Sequence, residues 1–161
     1  FVTGRRENLD EVREIVGPVR WARFRFVEGD ADLPDVCREA VAGVGIVLHQ
    51  AALGSVPRSI EEPLASNAAN VTGHLALLEA ARRAGVRRFV YASSCSVYGF
   101  ASSGDYVDET SPTNPQTAYA QCKVMVERDL TPMADDKFSV APSIEPLETA
   151  CVTREIESQR P

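Results

Sequence analysis

Two short apolar runs with a long helical pattern between them most limit what this chain can fold into. Val44-Gly-Ile-Val-Leu48 is nearly continuous in apolar residues, as expected of a strand buried on both faces. Arg87-Arg-Phe-Val-Tyr-Ala92 is the second run. From Ser59 to Ala84, Leu75, Leu78, Ala81 and Arg82 recur at spacings of three and four, the period of a helix. Pro63 falls near the start of that helix and Gly85 is its stop. Three more helices read from caps and breakers. Asn8 caps one from Leu9 to Val16, closed by Gly17-Pro18; Leu33 to Ala42 is closed by Gly43; Gln116 to Leu130 follows a loop at 100–115. Arg23-Phe-Arg-Phe-Val27 alternates and reads as another strand. Strands alternating with helices predict an α/β fold with a parallel, doubly wound, Rossmann-like sheet.

Composition narrows the class of protein. A chain of 161 residues holds one domain with a sizeable core. Its 44% hydrophobic and 25% charged content is that of a globular protein. A net charge of -6 argues against a general nucleic-acid or acidic-membrane binder. No apolar run approaches the roughly 18 residues a spanning helix needs. The four cysteines, Cys37, Cys95, Cys122 and Cys151, show no Cys-x-x-Cys spacing, so neither zinc nor a disulfide framework is expected. A reducing, cytoplasmic location is the default expectation. The chain opens on Phe1 in mid-pattern and reads as a fragment.

The chemistry-bearing stretches are Tyr91-Ala-Ser-Ser-Cys-Ser-Val-Tyr-Gly99 and Tyr119-Ala-Gln-Cys-Lys123. Residues i and i+4 share a helix face, so Tyr119 and Lys123 can point into one site. A nearby ammonium favours the phenolate and lowers a tyrosine pKa from its usual value of about 10. That suits a general base. Ser94 stands at a strand end, where ligands bind in open α/β sheets, and can hydrogen-bond the same substrate oxygen. Two other residues read as structural. His49 has no visible partner, and Cys95 has no adjacent histidine or lysine to activate it. Phe1-Val-Thr-Gly4 is not a dinucleotide loop, because Arg5, Arg6, Glu7 and Asn8 follow where the fingerprint needs glycines.

Together these stretches resemble the catalytic Ser/Tyr/Lys set of the extended short-chain dehydrogenase/reductase family, in particular its nucleotide-sugar epimerases. The likeness runs from Phe1 to about Leu130. It includes Asn8-Leu-Asp-Glu-Val12, Phe26-Val-Glu-Gly-Asp30, His49 to Ser59, Asn70-Val-Thr-Gly73, Leu77-Leu-Glu-Ala-Ala-Arg82 and Pro115-Gln116. It implies NAD as cofactor and inversion at carbon 4 of a UDP-linked sugar. Ser94, Tyr119 and Lys123 would be catalytic. Asp30, Ala31, Ala51, Ala52, Asn70, Ser93, Tyr119 and Lys123 would contact or support the cofactor. Ser55, Arg58, Ser94, Ser96 and Tyr119 would contact the sugar nucleotide. Ser-Val-Pro-Arg-Ser59 resembles the branch acting on UDP-N-acetylglucosamine and UDP-N-acetylgalactosamine more than the UDP-galactose branch. Dehydratases of the family carry an Asp-Glu pair where this chain has Cys95 and Ser96, which favours simple oxidation and reduction at one carbon. Gly73 is read as permitting close packing of helix on sheet.

On the same resemblance the first βαβ unit, with its glycine-rich loop, is missing. The chain as given is therefore expected to bind NAD poorly, while the intact protein is expected to be an epimerase and a homodimer. Residues 1–131 then form a partial NAD-binding domain, and 132–161 an irregular tail with no recognisable substrate domain. Two alternatives stay open: a catalytically inactive fragment or interaction module of the same fold, and a different NAD-dependent nucleotide-sugar oxidoreductase or dehydratase.

Overall fold

The computed structural model describes residues 4–99, 107–108, 110–130, 133 and 137–144. Along the chain these form α1 (Glu7–Trp21), α2 (Pro34–Val41), β1 (Ile46–His49), α3 (Val56–Glu61), α4 (Pro63–Asn67), a π-helical turn (Ala68–Thr72), α5 (Gly73–Arg83), β2 (Arg88–Ser93), a 3₁₀ turn (Cys95–Tyr98), α6 (Ala118–Leu130) and β3 (Ser139–Ile144). The strands lie in the order β1-β2-β3 and both pairs are parallel. Parallel neighbours need a long crossover between them. Here α3 to α5 connect β1 to β2, and α6 lies between β2 and β3. The expected α/β fold with a Rossmann-like parallel sheet is the fold observed.

Register sets the core. Val47 stands opposite Phe89, and Phe89 opposite Val140; His49 stands opposite Tyr91. Because strand side chains alternate, these residues share one face. Cys37 and Val41 of α2, Leu78 and Ala81 of α5 and Val126 of α6 pack against it, with Val86 and Phe138. The opposite side of β1 is not covered among the described residues: Ile46 is 53% exposed and Leu48 70%. The run Val44–Leu48 therefore does not meet the expectation of burial on both faces, since the described helices that pack on the sheet pack on the Val47 side.

Other expectations change for physical reasons. Arg23–Val27 is not a strand. A strand needs a ladder, and β1 pairs only with β2 in the described sheet. The segment is tied instead through Arg25, whose guanidinium donates to the carbonyls of Glu39 at 2.7 Å and Ala40 at 3.3 Å. That is the C-terminal end of α2, where a cation is favoured. Asn8 does not cap α1, because the helix begins at Glu7 and Arg6 holds the cap position. Gly17 leaves helical conformation as expected, at φ 72°, but Pro18 starts a further turn to Trp21.

The single helix expected from Ser59 to Ala84 is three helices and a π turn. Pro63 disfavours helical backbone in the residue before it, and Glu62 sits at φ -127°, ψ 63°. A second interruption is the π segment around Asn70. Past Leu130, residues 139–144 are not irregular: they form β3 on the far edge of β2. Six residues carry too little periodicity to announce a strand that exists only by pairing. Gly73 makes its close approach to a turn, not to the sheet: a Cβ there would lie 3.4 Å from the backbone of Ala31 and Asp32. Phe100 to Tyr106 and Glu109 of the 100–115 loop, and the tail beyond Ile144, with Cys151, lie outside the described residues.

Both histidines are buried on the core side of the sheet. Their rings lie 5.1 Å apart, and His74 also meets Phe89 at 5.5 Å and Tyr91 at 5.2 Å. Burial, with the charge of Lys123, lowers the His49 pKa to about 4. Burial, then His49 and Lys123, lowers that of His74 to about 3. The unfolded chain takes these protons near the ordinary value of 6.5, whereas the folded chain resists them until about 4 and about 3. Their contribution to stability is thus complete above pH 6.5 and is lost progressively as pH falls towards those values. Proton uptake on unfolding, measured at about pH 5, is expected to be greater by about two protons in the wild type than in His49→Gln/His74→Gln. Equal uptake would show that neither ring is held neutral. Phe89→Ala, which empties the centre of the covered face, is expected to cost about 3–5 kcal/mol in denaturant unfolding; a loss under about 1 kcal/mol would place the core elsewhere.

Candidate active site

The site grows from the carboxyl end of β2. Ser94 leaves the strand with extended backbone and caps the 3₁₀ turn. Its Oγ accepts from the Ser96 amide at 3.2 Å and lies 2.9 Å from Ser96 Oγ. A serine suits this place because its hydroxyl satisfies an amide the turn leaves open. The turn ends at Gly99, at φ 76°. A Cβ there would run into the carbonyl oxygen of Asn114, and the Asn114 amide donates to Val97 O at 2.9 Å. The glycine therefore lets the strap that leads into α6 lie against the strand end.

Helix α6 brings Tyr119 and Lys123. Thr117 Oγ1 accepts from the Ala120 amide at 3.1 Å. Ala120, Cys122, Val124 and Val126 are buried, and Val124 packs with Val97 and Tyr98. Lys123 is only 6% exposed. Its ammonium donates to the carbonyl of Ala92 at 2.8 Å and lies 5.7 Å from the centroid of the Tyr119 ring. The expected shared helix face is therefore present, with the cation drawn to the residue just before Ser93 and Ser94. Tyr119 itself is half-buried.

The carboxyl end of β1 supplies a second wall. Ala51 is exposed and Ala52 half-buried. The following residue is clamped: Asn70 Oδ1 accepts from the Leu53 amide at 2.7 Å, and Nδ2 donates to the Leu53 carbonyl at 3.1 Å. A buried asparagine needs such partners, and this pair fixes the loop that carries Ala51 and Ala52. One turn later, Gly73 lets the Ala31–Asp32 backbone approach. Cys37 Sγ donates to Ala31 O at 3.0 Å, and the Leu33 amide to Asp30 O at 3.1 Å. One stretch of helix, Asn70 to Gly73, thus holds two loops expected to face a cofactor.

Ser55 and Arg58 lie at the start of α3, which packs on α6. Ser55 Oγ accepts from the Arg58 amide at 3.2 Å, so the serine caps the helix. Ser93 is 4% exposed, and its hydroxyl donates to Glu127 Oε1 at 2.5 Å. Glu127 escaped the reading from sequence, although its place four residues after Lys123 puts it on the same face. Burial pushes the Cys37 and Cys122 thiols up. Among the described residues no group of three or more His, Cys, Asp or Glu side chains could hold a metal ion, and no helix is long and apolar enough to cross a membrane.

Known proteins are similar to this chain in sequence and in fold. The sequence model of the NAD dependent epimerase/dehydratase family matches residues 2–144. The chain is 35% identical over 136 residues to the UDP-glucose 4-epimerase of Neisseria gonorrhoeae, covering 82% of this chain and 39% of that protein. The chain thus spans about two fifths of that curated relative. The structure is similar to that of the Thermus thermophilus UDP-glucose 4-epimerase in complex with NAD, with TM-score 0.73 and 30% identity over 87% of this chain and 43% of the other. It is also similar to the dTDP-glucose 4,6-dehydratase DesIV of Streptomyces venezuelae with NAD bound, with TM-score 0.77 and 32% identity over 88% and 42%. On the family match over residues 2–144 and the identity to the Neisseria protein, this chain belongs to the NAD dependent epimerase/dehydratase family.

Proposed function

We propose that the protein is an NAD-dependent nucleotide-sugar 4-epimerase acting on a UDP-linked sugar, either the glucose/galactose pair or its N-acetylated counterpart. The observation that supports this reading is the Lys123 ammonium, buried against the carbonyl of Ala92, two residues before Ser94, and 5.7 Å from the centroid of the Tyr119 ring. The residues present fit the nicotinamide half of the cofactor. Ala51 and Ala52 leave backbone approachable at the end of β1, and the buried cation sits at the end of β2. Asp30 and Ala31 are proposed at the adenine end.

When bound, NAD supplies reversible hydride acceptance at carbon 4 of the sugar. The protein's own part is proton transfer and orientation. Tyr119 as phenolate takes the proton of the 4-hydroxyl and later returns it; Lys123 favours negative charge on the phenolic oxygen. Ser94 Oγ donates to the same sugar oxygen as it becomes a ketone, and Ser96 Oγ, 2.9 Å away, orients the Ser94 hydroxyl. Ser55 and Arg58 line the sugar-nucleotide side. The protein is further read as a homodimer joined through the helices of this face. Ile60, Leu64 and Met125, exposed on α3, α4 and α6, favour it.

A second reading, a sugar 4,6-dehydratase, is favoured by the likeness to DesIV. Against it, Cys95 and Ser96 offer no carboxylate for removing water. The test is product analysis on UDP-sugars with the protein expressed from its whole natural coding sequence. The C4 epimer is expected, and Tyr119→Phe is expected to lower kcat by about 10²- to 10⁴-fold while leaving the fold intact. A 4-keto-6-deoxy product would favour the dehydratase. No turnover of any UDP-sugar would leave a non-catalytic module of the same fold.

A further inference from the structure

Helix α6 meets the end of β2 twice, one helical turn apart. Lys123 donates to the Ala92 carbonyl at 2.8 Å, and Glu127 accepts the Ser93 hydroxyl at 2.5 Å. Tyr119, Lys123 and Glu127 follow at i, i+4 and i+8, on one face of the helix. A single contact leaves a helix free to turn about it. Two contacts, to consecutive residues of one strand, fix both its rotation and its height.

We propose that Glu127 is a positioning residue for the Tyr119/Ser94 pair. It acts through Ser93. The Ser93 hydroxyl is nearly fully buried, and its proton goes to the carboxylate. That bond holds the Ala92–Ser93–Ser94 corner against α6 while Lys123 holds the turn that bears Tyr119. A carboxylate acceptor makes a stronger hydrogen bond than a neutral one. Ser93 is thereby assigned to the scaffold under Ser94 and not to direct cofactor contact.

This inference rests on the epimerase reading, and the experiment separates the two. In the protein expressed from its whole natural coding sequence, Glu127→Ala is expected to lower kcat by about 10- to 100-fold, the scale of an ångström-sized misplacement. KM for the UDP-sugar is expected to change by less than about threefold, because no group that binds it is removed. Ser93→Ala is expected to act in the same direction, and the double variant to be no slower than the worse single one, since both remove one contact. Glu127→Gln keeps an oxygen that accepts from Ser93 and is expected to stay within about tenfold of wild type. An active wild type whose Glu127→Ala variant keeps its kcat overturns the assignment alone. So does a double variant whose losses multiply. A wild type with no activity on any UDP-sugar overturns the functional reading, and this one with it.

Discussion

A buried ammonium is the constraint on which the rest of this structure depends. Lys123 is brought out of water at the end of a parallel strand, where it needs partners strong enough to offset its lost hydration. The Ala92 carbonyl is one of them. Its placement has costs elsewhere. His49 and His74, close enough to feel that charge, are held neutral by burial and by the cation together. A protonated ring beside the ammonium would meet both desolvation and repulsion.

The surrounding packing can be understood as support for that one placement. Val124 and Val126 lie between Lys123 and Glu127 on α6, so the same helix anchors itself by apolar burial and by polar contacts to the strand end. Gly99 allows the Asn114 strap to close over the 3₁₀ turn, which in turn holds the Ser94 and Ser96 hydroxyls together. Across the sheet end, Asn70 clamps Leu53, and Gly73 admits the Ala31–Asp32 backbone. These are three separate loops, each brought to the same end of the sheet by a residue suited to a backbone contact.

Much of this was legible before any coordinates. The spacing of Tyr119 and Lys123 foretold their common face, because helical geometry is local. The runs at Val44–Leu48 and Arg87–Ala92 foretold parallel strands, because a long helical stretch between two strands requires a crossover. What failed were the readings that depend on partners. Arg23–Val27 has the alternation of a strand but finds carbonyls of α2 in place of a ladder. Ser139–Ile144 has little pattern of its own, yet pairs with the whole length of β2. Ile46 and Leu48 are apolar but lie on the side of β1 that no described helix covers.

By itself, then, the sequence determined the fold class, the order of most elements and the pairing of a phenol with a cation, since all three follow from periodicity and from contacts a few residues apart. Only the tertiary structure decided that the Ser93 hydroxyl donates a hydrogen bond to Glu127, that Asn70 grips Leu53 and that Gly73 faces a turn. Each of those contacts joins residues distant along the chain, and no local pattern records which distant backbone group a side chain will meet.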